Sequence, residues 1–240
     1  MIPTKAEPVH VPHIEVADFV AGAREARGVA VVIDVFRAFS LAAYAHAQGA
    51  GRIIPVAAIE TARDLKAADP DALLIGERHA RPLPGFDCGN SPTELSRLDL
   101  RGKTVIHTTH SGTQGLTKAV QADEVITGAL VNAGAIVRYL QRRRPERVTL
   151  VRMGHEARER CDEDDLCAEV LRRRLRGEPA DVDARDRLRT AASAAKFFDP
   201  ACGWAPQTDF DLCTRLDIFD FVLRLQREQP VPGLVAIPVP

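Results

Sequence analysis

The run Val29-Ala30-Val31-Val32-Ile33 is unbroken apolar sequence that stops at Asp34. A strand with one wet face alternates apolar and polar residues, so a continuous run this short reads as a strand covered on both faces. Covering both faces requires helices on each side of a sheet, which limits the chain to layered α/β architecture. The rest of the sequence fits that demand. Ala38 to Ala50 reads as an Ala-rich helix stopped by Gly49 and Gly51, Arg52 to Val56 as a strand, and Ile59 to Ala68 as a helix. Leu73-Leu74-Ile75 is a further strand, ending at Gly76-Glu77-Arg78.

Residues 81–92 hold Pro82, Pro84, Gly85, Gly89 and Pro92 and predict a loop of fixed turns. Strands are then expected at Thr104–Thr108, Glu124–Thr127 and Val148–Met153. Helices are expected at Gly115–Val120, Asn132–Arg143, Asp164–Arg174 and Arg185–Lys196, with a loop from Pro200 to Pro206. Strands alternating with helices predict a mostly parallel sheet with helices on both faces. No linker-like shift in composition divides the chain, so its lobes are expected to share a core.

Composition narrows the function classes. With 45% apolar residues the 240-residue chain can bury a core, and with only 5% aromatic residues that core must rest on Ala, Val, Leu and Ile. Disordered, collagen-like and disulfide-stapled chains are excluded. The net charge of −1 lacks the basic excess of a nucleic-acid binder. Arg142-Arg143-Arg144 and Arg172-Arg173-Arg174 precede Pro145 and Gly177, where cations suit the negative end of a helix dipole. Five cysteines without a CxxC pair exclude a zinc ribbon and point to a reducing compartment. No apolar run reaches membrane-spanning length, and Pro3, Lys5, Glu7 and Pro8 stand where a signal core would be. A soluble, cytoplasmic protein with no nucleic-acid or membrane partner is expected.

Ligands of open parallel sheets collect beyond the C-terminal strand ends. Those ends carry Asp34 and Arg37, Glu77 and Arg78, then Thr108 to Thr113, and finally Gly154, His155 and Glu156 with Glu163, Asp164 and Asp165 shortly after. Carboxylates, arginines and hydroxyls at one sheet edge suggest a hard cation beside an anion. Mg²⁺ takes one or two carboxylates plus water and phosphate oxygens, and arginine forks suit phosphate, sulfonate or carboxylate. Taken alone, Asp34 and Arg37 read as a helix cap beside a surface charge. Ser111-Gly112-Thr113 can cradle an anion or simply cap a helix, and Glu163-Asp164-Asp165 can complement a helix dipole or do acid–base work. Two phosphatase schemes are excluded. Phe36 stands where an aspartyl phosphatase needs a second Asp, and neither Cys88 nor Cys161 starts a CxxxxxR loop, because Glu94 and Cys167 occupy the Arg position.

In order and spacing, several segments resemble the 2-phosphosulfolactate phosphatase family over roughly residues 29 to 235. They are Val32-Ile33-Asp34-Val35-Phe36-Arg37-Ala38, Gly76-Glu77-Arg78, Gly85-Phe86-Asp87, Gly89-Asn90-Ser91-Pro92, Gly128 with Asn132, Glu163-Asp164 with Cys167-Ala168, and the region of Asp209 and Cys213. The resemblance implies a three-layer α/β/α fold of two similar halves, taken here as 1–127 and 128–240. It also implies a Mg²⁺-dependent phosphomonoesterase acting on a small phosphorylated, sulfonated hydroxy acid. The family's Thr-Thr-Asn-Gly-Thr element stands here as Thr109-His110-Ser111-Gly112-Thr113, the Gly after Cys167-Ala168 is Glu169, and the Leu before the motif arginine is Phe36. His110 and Ser111 fall where ligand should sit, so the reaction class carries over more firmly than the substrate.

On this reading Asp34, Glu77 and Asp164 hold the metal, and Asp34, Glu163 and Asp164 do the catalytic work. Arg37, Arg78, His110, Ser111, Gly112, Thr113 and Asn132 bind substrate anions, and Asn90 and Ser91 orient them. Arg37 is expected to face ligand and to matter little for stability, whereas Cys88 and Cys167 are expected to be reduced packing residues. Partners are a small phosphorylated organic acid and a second copy of the chain. Two other readings stand beside this one: a non-catalytic small-anion-binding protein, and a metal-dependent hydrolase of a carboxylic ester or amide.

Overall fold

The computed structural model describes residues 10–180 and 182–240, so Pro3, Lys5, Glu7 and Pro8 lie outside the described part. The apolar run forms β2 (Val29–Ile33), and every residue in it is buried. Before it come β1 (His13–Asp18) and α1 (Phe19–Glu25), which the half-exposed, polar-rich sequence of this region did not announce. The elements α2 (Ala38–Ala47), β3 (Arg52–Pro55), α3 (Ile59–Ala68) and β4 (Leu73–Arg78) follow in the expected order. The Pro- and Gly-rich stretch carries a two-residue strand β5 (Arg81–Pro82), and α4 (Pro92–Leu95) begins at its end.

Next come β6 (Thr104–Thr108), α5 (Gly112–Lys118) and β7 (Glu124–Gly128). A 3₁₀ turn (Leu130–Asn132) leads into α6 (Ala133–Arg143), then β8 (Arg147–Arg152) and α7 (Asp162–Leu175). The segment expected as one helix from Arg185 to Lys196 is two pieces. These are α8 (Ala184–Leu188) and a 3₁₀ segment (Ala192–Phe197), separated where Ala191 takes an extended conformation. Then α9 (Gln207–Cys213), β9 (Phe221–Gln226) and β10 (Gly233–Pro238) complete the fold.

Among the described residues the ten strands belong to one sheet in the order β1-β8-β2-β7-β9-β10-β3-β6-β4-β5. Two blocks within it are parallel throughout: β1-β8-β2-β7 and β3-β6-β4. The first block draws strands from the start and the middle of the chain, on either side of the second block in sequence, so the blocks do not follow chain order. Between the blocks lies the antiparallel β9–β10 hairpin, paired along six residues of each strand. It meets β7 at Ile126↔Arg224 and β3 at Leu234↔Ile53, one residue pair on each side.

Side-chain alternation along each strand sets the layers. Ala30 and Val32 of β2, Ile53 of β3, Ile75 of β4 and Val105 of β6 share one core with α2 and α5. On the other face, Val31 and Ile33 pack with α6 and α7, and Ile54, Leu74 and Ile106 with Ala62 of α3. The result is a three-layer α/β/α fold with a mostly parallel mixed sheet. Close approach fixes α5: a Cβ at Gly115 would lie 2.4 Å from Met153 Sδ and 2.7 Å from Val32 Cγ1, so only glycine lets the helix sit this near β2. Because α5 follows β6 yet packs on β2, the carboxyl ends of the two blocks are brought together. Among the described residues no helix is long and apolar enough to cross a membrane.

Candidate active site

Six elements of the fold meet around one cavity of about 320 Å³. Asp34 comes from the end of β2, Glu77 from β4, and His110 and Ser111 from the turn after β6. Gly154, His155 and Glu156 follow β8, while Glu163 and Asp164 occupy the first turn of α7. Ser193 and Lys196 come from the 3₁₀ segment before α9. The acids expected to converge (Asp34, Glu77 and Asp164) therefore line one space, with Glu163 among them.

The backbone presents and pins these carboxyl groups. Asp164 accepts hydrogen bonds from the Val35 amide at 2.9 Å and the Gly154 amide at 2.8 Å, which ties the turns after β2 and β8 to α7. Glu77 accepts from the His110 amide at 2.7 Å and the Ala80 amide at 2.8 Å. Asp34 accepts from the Ala38 amide at 3.2 Å through Oδ1. Its Oδ2 lies against Gly112, where a Cβ would come within 2.8 Å of that oxygen. The glycine in the Ser-Gly-Thr turn thus leaves room for a carboxylate. Glu163 accepts from the Ser193 hydroxyl.

Crowding acids in a dry site makes their charges expensive. Burial pushes the Asp34 carboxyl up to about 7, and the charges of Glu77 and Glu163 push it the same way against the Ala38 amide and Lys196. Asp164 is raised well above the ordinary carboxylate range by burial, then by Glu163 and Asp34. Burial also raises Glu163, opposed by the Ser193 hydroxyl and Lys196. The Lys196 ammonium is itself pushed down by burial and held up by Glu163. Seven carboxyl side chains line the cavity against three basic ones, Arg37, Arg160 and Lys196.

Other expected site residues have different duties. Arg37 lines the cavity, but its guanidinium is buried in an ion pair with Asp209 at 2.6 Å and also donates to the Trp204 carbonyl at 3.0 Å. The expectation that Arg37 matters little for stability is corrected, because α9 brings a carboxylate to it that lies 172 residues away in sequence. Arg78 is not among the lining residues. It donates to the Glu77 and Ala57 carbonyls at 2.6 and 2.8 Å and to the Thr108 hydroxyl at 2.9 Å.

Asn90 reaches the cavity, whereas Ser91 is fully buried, caps α4 at the Glu94 amide and donates to Asp209 at 2.9 Å. Gly-Asn-Ser-Pro is largely a helix-start motif here, suited by Ser at the N-cap and Pro at the first helical position. Thr113 is buried and bonds within its own turn to Thr109. Asn132 stands at the N-cap position of α6 without a side-chain capping bond, is not among the cavity's lining residues, and donates to the Phe221 carbonyl at 3.3 Å.

Sequence reasoning missed Ser193, Lys196 and Arg160. For Lys196 a signal exists: it is a lone cation between Ala194-Ala195 and Phe197-Phe198, and an amphipathic stem in apolar surroundings must send its head somewhere polar.

Comparison with known proteins bears on this constellation. A family model described as 2-phosphosulpholactate phosphatase matches residues 17–228, nearly the whole chain. The chain belongs to that family. Within the 2-phosphosulfolactate phosphatase family, a relative from Thermotoga petrophila is 34% identical over 205 residues, covering 80% of this chain and 87% of its own. One from Clostridium perfringens is 36% identical over 156 residues, covering 63% and 62%. A third, from Deinococcus radiodurans, is 40% identical over 131 residues, covering 54% and 55%. Each carries the name probable 2-phosphosulfolactate phosphatase. Membership places the chain among phosphoric monoester hydrolases, and the family segments around Asp34, Glu77 and Glu163-Asp164 are the ones that build the cavity.

Proposed function

We propose that the chain hydrolyses the phosphate monoester of a small, sulfonated hydroxy acid, with Mg²⁺ as the required cation. One observation carries the reading: the cavity is built from buried carboxyl groups that raise one another's pKa, at the meeting point of the strand ends. With seven carboxyls against Arg37, Arg160 and Lys196 in the lining, a compensating cation favours entry of a polyanionic ester. In donor type Asp34, Glu77 and Asp164 suit a hard divalent ion, but their oxygens do not all lie within 4.8 Å of one another, so one or two of them would hold it while water and phosphate oxygens complete its shell. When bound, that ion supplies Lewis-acid stabilisation of phosphoryl charge.

The protein's own groups divide the remaining work. Asp34, raised to about 7 with no metal ion beside it, can act as general acid or base only where it does not itself hold the ion, since a metal-bound carboxylate stays ionised. Glu163, oriented by Ser193 and raised in the same direction, is the second candidate proton carrier. Asp164 and Glu77 are each pinned by a backbone amide on both oxygens, so each presents a fixed carboxylate that keeps a lone pair on each oxygen. Lys196 gives an anionic end of the substrate a cation, with Arg37 beside it already paired to Asp209, and Asn90, His110 and Ser111 line the same space. A cytoplasmic enzyme acting on such a metabolite completes the proposal.

Phosphate release from 2-phosphosulfolactate and from a panel of phosphorylated hydroxy acids tests the reading. Turnover that stops with EDTA and returns with Mg²⁺ is expected. Release indifferent to the chelator overturns the metal role, and saturable binding without release overturns the enzyme in favour of an anion-binding protein.

A further inference from the structure

At the mouth of the cavity, three side chains from three separate turns bring together a different donor set. His79 follows β4, His110 follows β6 and Glu156 follows β8. One ligand atom from each, two imidazole nitrogens and a carboxylate oxygen, lies within 4.8 Å of the others. His79 Nδ1 and Glu156 Oε1 are 2.5 Å apart, and the two imidazole rings meet edge to face with centroids at 4.8 Å.

Metal–ligand bonds of about 2.0–2.2 Å put the donors of a tetrahedral zinc site roughly 3.3–3.6 Å apart. The trio is therefore within about 1.5 Å of a coordination edge, and rotation of the exposed His79 with small shifts of the half-buried His110 and Glu156 covers that difference. His110 Nδ1 is buried and has no hydrogen-bond partner. An orphaned imidazole nitrogen costs free energy until something satisfies it.

The backbone under the trio is braced. The Glu77 carboxylate accepts the amide of Ala80, next to His79, and the amide of His110, so one side chain sets the spacing of both histidine segments. On the opposite side a tight turn closed by the His155 amide on the Glu159 carbonyl at 2.7 Å presents Glu156.

From this geometry we propose that His79, His110 and Glu156 form a site for a divalent transition metal of the Zn²⁺ class, separate from the carboxylate-rich floor of the cavity. Imidazole donors suit zinc, cobalt and nickel and do not suit Mg²⁺. Two histidines and one glutamate leave a coordination position open, as in catalytic zinc sites. His110 and Glu156 line the cavity, so a metal held there would border the space in which, on the function proposed above, the anionic substrate binds.

The test uses the full chain, stripped of metal and titrated with Zn²⁺ against a chromophoric chelator, and with Co²⁺ followed by its visible absorption. One equivalent is expected to bind in the presence of a large excess of Mg²⁺. His79→Ala and Glu156→Gln, both changes at the cavity rim, are each expected to weaken binding on the order of tenfold or more, since even outer-shell losses cost 10–100-fold. His13→Ala, on β1, leaves the affinity as it was. Absence of the cobalt absorption, displacement by Mg²⁺, or affinity indifferent to His79→Ala and Glu156→Gln overturns the proposal. None of these readouts depends on phosphatase turnover.

Discussion

Replacing Asp209 by Asn removes one charge from the Arg37–Asp209 pair while keeping the shape of the side chain. Both partners are almost completely enclosed, with side-chain exposures of 3% for Arg37 and 0% for Asp209. The Asn oxygen can still accept from the Ser91 hydroxyl and the Thr93 amide, each 2.9 Å from Asp209 Oδ1. The loss is therefore confined to the 2.6 Å contact with Arg37, where an amide nitrogen now faces a guanidinium nitrogen. Breaking a buried pair by removing one partner costs about 3–5 kcal/mol, because the other charge stays buried alone. At about 2–4 °C per kcal/mol for a chain of this size, that lowers the melting temperature by roughly 6–20 °C.

Thermal unfolding followed by circular dichroism measures this shift. The double variant Arg37→Met/Asp209→Asn isolates its cause: with no charge left unpaired, it should melt above Asp209→Asn. A single variant melting within about 2 °C of the parent, or a double variant with strictly additive loss, refutes the buried-charge account.

Four further outcomes follow from the site. Asp34 is raised on folding, so the native state holds more protons than the unfolded chain between the ordinary aspartate range and about pH 7, and stability declines as pH rises through that window. Asp34→Asn should consequently raise the melting temperature at pH 8 and much less at pH 5, by an amount worth up to about 4 kcal/mol, while phosphate release drops at least 100-fold. Lys196→Met should lower kcat/KM about tenfold or more with a substrate that carries both phosphate and a second anion, seen mainly in KM, as expected for a lost charge-assisted bond. Arg37→Lys keeps the charge but not the fork that reaches Asp209 and the Trp204 carbonyl, so it should melt several degrees below the parent. Cys88, pushed up to about 12 by burial and Glu94, and the buried Cys167 should resist alkylation in the native protein at neutral pH, with modification confined to the half-buried Cys202.

What could be read from the sequence was whatever depends on near neighbours. Val29–Ile33, Ile59–Ala68 and Thr104–Thr108 declare themselves by apolar runs and helical spacing, and they fold over those residues. The acids at strand ends were visible because parallel sheets put ligands there. Hidden from view were features set by distant partners. β9 and β10 carry Arg224, Gln226 and Pro238 in exposed or half-exposed positions and form strands because two blocks need a seam between them. The commitment of Arg37 and of Ser91 to Asp209 depends on where α9 lands. Nothing near Arg78 in sequence shows that the Ala57 carbonyl and Thr108 hydroxyl will claim it.

The seam itself has a consequence for assembly. In chain order the hairpin comes after every strand it joins, and it holds each block by a single residue pair. During synthesis Asp34, Glu77 and Asp164 all leave the ribosome before the element that closes the sheet between their blocks. Until it docks, the packing of α5 on β2 must keep the acids of one block facing those of the other. The seam is also where the sheet has the fewest hydrogen bonds to break, so hydrogen exchange should open it before either parallel block. An enzyme whose two acid-bearing blocks meet across its weakest join can lose its catalytic geometry while most of its secondary structure is intact.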